Sequence, residues 1–190
     1  MIDQQHSRER LVQTLFRALD LRDRESAAHS ERVAMFSLNL GRACGLQEDD
    51  LNKLRAGALL HDIGKIGTPD SILLKPEKLT PEEWPVMRNH SRLGAELIQF
   101  VPEIQDIVPV VLYHHERWEG NGYPHNLAGE DIPLLARICS VAEVFDALLS
   151  DCVYKSGWTN SKALEWMEQS SGKMFDPSII TVLLKITAGL

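Results

Sequence analysis

The sequence predicts an all-α single domain, and three observations carry that reading. Apolar residues recur at intervals of three and four through most of the chain. The one β-branched run, Ile104 to Tyr113, has no partner strand elsewhere and reads as a buried helix interrupted by Pro109. The length, 190 residues, suits one domain or one domain with a short extension. The extension is placed at residues 1–22, a terminal or linker helix packing on a domain of residues 23–190.

Residues 7–22 are amphipathic, with Leu11, Leu15 and Leu19 at intervals of four and Val12 and Phe16 beside them. Residues 24–44 form a second helix with Val33, Phe36, Leu40 and Cys44 on its apolar face and Gly45 at its C-cap. Gln47 to Asp50 place acidic side chains at the start of a third helix, where the dipole favours them. Leu51, Leu54, Ala58 and Leu59 face inward, and this helix delivers His61 and Asp62 at its end. Residues 63–79, with Gly64, Gly67, Pro69 and Pro76, read as a loop pinned by Leu73 and Leu74.

Thr80-Pro81-Glu82-Glu83 opens a short helix: a capping Thr, a Pro in first position and a Glu in third. Pro85 distorts its second turn, and His90 lies near its end. A helix through Leu93, Leu97 and Ile98 follows and stops near Pro102. Residues 116–131 contain Gly120, Gly122, Pro124 and Gly129 and make a long loop, a length often tied to function. Ile132 to Leu149 is helical, with Leu135, Ile138, Ala142, Phe145 and Leu149 inward and Glu143 and Asp146 three apart. Helices at 160–170 and 177–187, the second opened by Asp176-Pro177, complete the packing.

A hydrophobic content of 44% and a charged content of 25% are ordinary for a soluble globular protein. A formal net charge of −7 argues against a nucleic-acid polymer as partner. No apolar run approaches the ~20 residues that span a membrane, and the polar first ten residues do not form a signal peptide. The three cysteines make no C-x-x-C pair, which suits a reducing, cytoplasmic compartment; Cys44 and Cys139 are read as buried packing.

The stretch Leu59 to Lys65 carries the chemistry. His61 offers a neutral nitrogen, Asp62 offers two oxygens that can span two metals, and Lys65 places a positive charge beside them. Alone, such a pair is more often a helix-capping His and an Asp–Lys ion pair. Here it has company: Glu25 and His29 share a helix face, and His90, His114, His115 and Glu143 complete a set of eight potential ligands. Five of the seven histidines fall in this set; His6 and His125 are read as solvent-exposed. Histidines with carboxylates and no cysteine suit Fe, Mn, Ni or Zn at two or more centres.

The motifs H-S-x-R-V (29–33), L-L-H-D-I-G-K-I-G (59–67), I-L-L-K-P (72–76), L-T-x-E-E-W (79–84) with His90 after it, and H-H-E-R-W-x-G-x-G-Y-P (114–124) occur in one order. That order resembles the HD-GYP family of HD-domain metal phosphohydrolases, over about residues 20 to 185. The resemblance implies an HD-type helical bundle with a long GYP loop and two or three divalent metal ions. It implies hydrolysis of cyclic di-GMP to pGpG and onward to GMP by a hydroxide that bridges the metals. The implied ligands are His29, His61, Asp62, His90, His114, His115 and Glu143, with Asp62 bridging and Glu25 matching an additional carboxylate. Asp62 and Lys65 are the implied catalytic groups. Lys65, Gly122, Tyr123, Pro124 and Lys155 are the implied substrate-binding groups, and the loop is also implicated in contacts with signalling domains.

Three departures stand out. Glu143 and Glu119 occupy positions where the family usually has Asp, and Cys152-Val153-Tyr154-Lys155 replaces R-P-Y-R/K, so the first basic residue is missing. They keep two alternatives open: a catalytically weak sensor that binds a cyclic dinucleotide or a signalling partner, and a phosphohydrolase for another nucleotide. The Gly122-Tyr123-Pro124 loop counts against the last.

Overall fold

In the computed structural model, residues 2–151 and 156–188 are described, with side chains from residue 5. Cys152 to Lys155, and so the expected substrate residue Lys155, lie outside the described residues. Helices α1 (Ile2–Arg22), α2 (Arg24–Ala43) and α3 (Glu48–Leu60) come first, followed by a 3-10 turn at Ile63–Gly67 and a short α4 (Asp70–Leu73). Then come α5 (Trp84–Arg88), α6 (His90–Ile98) and α7 (Val108–Tyr113), and after the long loop α8 (Leu134–Leu149), α9 (Asn160–Gln169) and α10 (Pro177–Thr187). The described residues contain no strand, only an isolated bridge between Ser171 and Phe175, so the all-α expectation holds.

The core forms where α2 packs against α3 and α8, with α7 closing on α3, α6 and α8. Leu40, Leu54, Leu60, Ile63, Ile98 and Ile138 are buried there. Helix α1 joins the same core through Val12, Phe16 and Leu19. Its end is bonded into α2: Asp23 donates its N–H to Leu19 and caps α2 by accepting from the N–H groups of Glu25 and Ser26.

Several local expectations are corrected. Residues 63–79 are not all loop: Lys65 bonds to the Asp62 carbonyl and Thr68 to the Lys65 carbonyl, a tight turn whose spacing leaves no helical pattern to read. Leu74 does not pin this stretch, being 57% exposed, and Leu97 also faces solvent. The Glu83 carboxylate does accept from the Thr80 N–H, as the capping pattern requires. Pro85 has no N–H to continue that first turn, so the regular helix begins at Trp84. It ends at Arg88, and His90 opens α6 rather than ending α5. Cys139 is buried as expected, while Cys44 is only half-buried.

Candidate metal centre

Three helix ends deliver imidazoles to one place by the same local device. His61 follows the end of α3, His90 the end of α5 and His114 the end of α7. Each donates from Nδ1 to the carbonyl three residues earlier: Ala58 at 2.7 Å, Met87 at 2.8 Å and Val111 at 2.9 Å. Those carbonyls belong to last helical turns, which lack intrahelical donors. The bond therefore satisfies the helix end and also fixes the tautomer, because a carbonyl only accepts. Nδ1 holds a hydrogen, and each Nε2 faces the interior, where the neutral ring presents its lone pair. His29 reaches the same end state by another route, its Nδ1 donating to Asp146 Oδ2 at 2.7 Å.

The ligand atoms fall into overlapping groups, each within 4.8 Å: His90, His114 and His115; His29, His61 and Glu143; and His61, Asp62 and His114. Asp62 lies between the first two, with Oδ1 3.3 Å from His90 Nε2 and Oδ2 3.4 Å from His61 Nε2. Lys65 Nζ donates to Asp62 Oδ2 at 2.7 Å and to Ser26 Oγ at 3.1 Å. The expected ligand Glu25 is exposed and stands outside these groups.

The donor set fits divalent metal. The Nε2 atoms of His90 and His114 are 3.2 Å apart, yet both rings carry their hydrogen on Nδ1, so two lone pairs face each other. Two nitrogens each about 2.1 Å from a shared cation stand roughly that far apart. His61 Nε2 and Glu143 Oε2 are buried with no hydrogen-bond partner among the described residues, an arrangement that costs free energy unless something binds them.

Protonation follows from burial and neighbouring charge. Burial, with positive neighbours adding to it, holds His114 and His115 well below the usual histidine range, so both rings are neutral at neutral pH. Burial disfavours the Asp62 carboxylate, but Lys65 and His61 outweigh it and keep the group ionised. Burial lowers the His61 pKa, and Asp62 more than reverses that, raising it to about 9. Burial lifts Glu143 to about 7, partly offset by His61. A cation would replace the protons on His61 and Glu143, so metal uptake competes with acid.

The GYP loop closes one side. Tyr123 donates its N–H to the His115 carbonyl at 3.2 Å, and its ring lies 4.6 Å from the His115 ring, centroid to centroid. A Cβ on Gly122 would meet Arg117 N at 2.4 Å, so only glycine lets the loop lie against its own start. The Tyr123–Pro124 peptide is cis. Glu119 accepts from Asn121 at 2.7 Å, so the longer carboxylate keeps a loop hydrogen bond.

A family model for the HD domain matches residues 13–179. The chain belongs to the HD domain family. Over 178 residues it is 44% identical to the cyclic di-GMP phosphodiesterase response regulator RpfG of Xanthomonas campestris, covering 93% of this chain and 47% of that protein. Over 187 residues it is 37% identical to the 3'3'-cGAMP-specific phosphodiesterase 2 of Vibrio cholerae, covering 97% of this chain and 36% of that protein. These relatives place it with the HD-GYP proteins that its motifs resemble. Bd1817, an HDG"Y"P protein from Bdellovibrio bacteriovorus, shares the fold at a TM-score of 0.70 and 24% identity, over 86% of this chain and 52% of that one. This HD domain thus spans about half or less of the length of these curated relatives. Among the described residues no helix is long and apolar enough to cross a membrane.

Two supporting residues of the HD domain carried no role in the sequence reading. Glu116, only 2% exposed, accepts from the N–H groups of His125 and Leu127 at 2.7 and 3.1 Å and so ties down the loop. It was visible only as a letter inside H-H-E-R-W. Asp146 binds His29 and takes a two-pronged contact from Arg32 at 2.8 and 2.9 Å. Burial pushes its pKa up, but the His29 and Arg32 hydrogen bonds prevail and hold it at about 2. The only signal was its spacing from Glu143. Asp146→Asn keeps the shape but lets the amide offer a donor to His29, which favours the wrong tautomer. Metal affinity of this HD domain is expected to fall roughly ten- to a hundredfold, read by titration against a competing chelator, with helicity unchanged. Unaltered affinity would remove Asp146 from this role.

Proposed function

We propose that this HD domain is a metal-dependent phosphodiesterase acting on a cyclic dinucleotide, opening cyclic di-GMP to pGpG and continuing to GMP. The observation that carries the reading is the convergence of inward-facing Nε2 atoms on the two oxygens of Asp62. His90, His114 and His115 would hold one divalent ion, and His29, His61 and Glu143 a second, with Asp62 shared. Ions of the Fe, Mn, Ni or Zn class held there supply Lewis acidity toward phosphate and acidify water into the neutral range.

The chain's own groups do the rest. Lys65 uses two of its three donors on Asp62 and Ser26 and keeps one for a phosphate oxygen. Its charge opposes the negative charge that builds on that oxygen during in-line attack. Asp62 ties this lysine to the ligand cluster, so substrate charge and metal positions are set together. Burial pushes the Tyr123 hydroxyl well above the usual phenol range, so it remains a donor beside His115. The Tyr123 ring excludes water from that side of the cluster.

Incubation of protein reconstituted with each metal, with cyclic di-GMP and 3'3'-cGAMP offered separately, tests the reading by chromatography of products. Linear dinucleotide followed by mononucleotide is expected from cyclic di-GMP. A preference for 3'3'-cGAMP, the substrate named for the Vibrio cholerae relative, would move the substrate and keep the reaction. No product with any of the four metals would end the proposal.

A further inference from the structure

Beside the metal cluster stands an arginine that the proposed chemistry has not used. Arg88 is the last residue of α5, two positions before His90. Its guanidinium carbon lies 5.3 Å from the Tyr123 ring centroid and 5.7 Å from the Trp84 ring centroid. Tyr123 in turn packs on His115. A ladder therefore runs from the ligand cluster outward: His115, Tyr123, Arg88, Trp84.

Arg88 is one of several arginines that have no carboxylate partner among the described residues. Acidic side chains outnumber Lys and Arg by 27 to 20. Arg8, Arg22, Arg32, Arg55 and Arg137 each find a carboxylate. The exposed Arg88 side chain has no hydrogen bond or ion pair among the described residues, only the two ring contacts. Aromatic faces stabilise a guanidinium without occupying its N–H groups, which lie in its plane. The fork is thus held in place with its donors open, suited to a planar two-bond contact with an anion.

Resting on the reading that the cluster hydrolyses a cyclic dinucleotide, we propose that Arg88 grips the second phosphate, the one not being cleaved. A cyclic dinucleotide carries two phosphates in one ring, so while one lies at the metals the other must lie nearby. An unpaired, ring-held arginine two contacts from His115 is placed to meet it. Trp84 acts as a positioning residue, steadying Arg88 from the outer side. This assigns an anion-binding role to α5 in a chain whose segment Cys152 to Lys155 lacks the arginine usual in the family.

The test compares pGpG, which keeps the uncleaved phosphate as its internal linkage beside the 5'-phosphate, with GMP, which carries a guanine and one phosphate and has no second phosphate. Dissociation constants are measured by calorimetry on wild type and Arg88→Gln loaded with a divalent ion that supports no turnover, with turnover of cyclic di-GMP followed separately. Loss of a charged hydrogen bond is expected to weaken pGpG roughly ten- to a hundredfold and leave GMP within about threefold. KM for cyclic di-GMP is expected to rise by the same factor as the pGpG constant, with metal content unchanged. Trp84→Ala should weaken pGpG by a smaller factor, and Trp84→Phe should restore it. Equal weakening of pGpG and GMP would show that Arg88 reads a base or the cleaved phosphate, and unchanged pGpG affinity would show that it does not touch the second phosphate; both overturn the proposal. The binding comparison stands even if wild type turns over no cyclic dinucleotide, a result that would instead overturn the assigned reaction.

Discussion

Asp62→Ala is expected to strip the protein of metal and abolish turnover while the helical bundle survives. Asp62 is 4% exposed and touches both groups of nitrogen ligands, with one oxygen 3.3 Å from His90 Nε2 and the other 3.4 Å from His61 Nε2. Alanine removes the carboxylate that lies between them and, among the described residues, leaves Lys65 bonded to Ser26 alone. An inner carboxylate lost in this way should weaken metal by at least about a hundredfold, above the ten- to hundredfold range typical of outer supporting residues. The fold should persist because Leu54, Leu60 and Ile63, which pack α3 and its following turn, are untouched. Asp62→Asn separates charge from shape: it fills the same space, so any metal it loses reports charge. Elemental analysis after reconstitution, with circular dichroism as the check on helicity, measures both variants. Full metal content in Asp62→Ala would place the centre elsewhere.

The sequence and the structure agree best where a helix buries a regular stripe. Residues 24–44 were legible from an apolar face and the Gly45 stop, and 177–187 from the Asp176-Pro177 start, and the structure bounds them at Arg24–Ala43 and Pro177–Thr187. The turn after Asp62 was not legible, because its bonds span three residues and impose no apolar period. His90 was misplaced because Pro85 removes one N–H from the ladder, and periodicity cannot say which of two short helices then claims the residue. Most residues of the candidate cluster were legible through motif order. Their supporting partners were not: His29 and Asp146 are 117 positions apart, and nothing local in either helix announces the pair. Glu143 shows the limit from the other side. Its extra methylene was the reason to suspect a weakened ligand there, and the structure leaves its Oε2 buried and, among the described residues, unpartnered within the group of His29 and His61.

Gly64→Ala is expected to do nearly as much damage without touching a ligand. A Cβ at Gly64 would lie 1.9 Å from the His90 carbonyl oxygen and 2.5 Å from Gly94 N. Both are backbone atoms of α6, so no side chain can rotate away. Carbon contacts need about 3.5 Å, and the 3-10 turn must separate from α6 by more than about 1 Å. That movement pulls His90 from Asp62 and from His114, to whose Nε2 it stands at 3.2 Å. Overpacking commonly costs about 1–3 kcal/mol, and backbone against backbone belongs at or above the upper end. Gly67→Ala is the control within the same turn. Its added carbon would meet Leu93 Cδ1 at 3.0 Å, the movable end of a side chain, and should cost under about 1 kcal/mol. Denaturation midpoints and metal stoichiometry of the two variants read the difference. Helix α6 supplies its histidine through contact with this glycine, so Gly64→Ala should lose both stability and metal while Gly67→Ala keeps both. Wild-type metal content in a stable Gly64→Ala protein would mean that α6 accommodates the methyl group without moving His90.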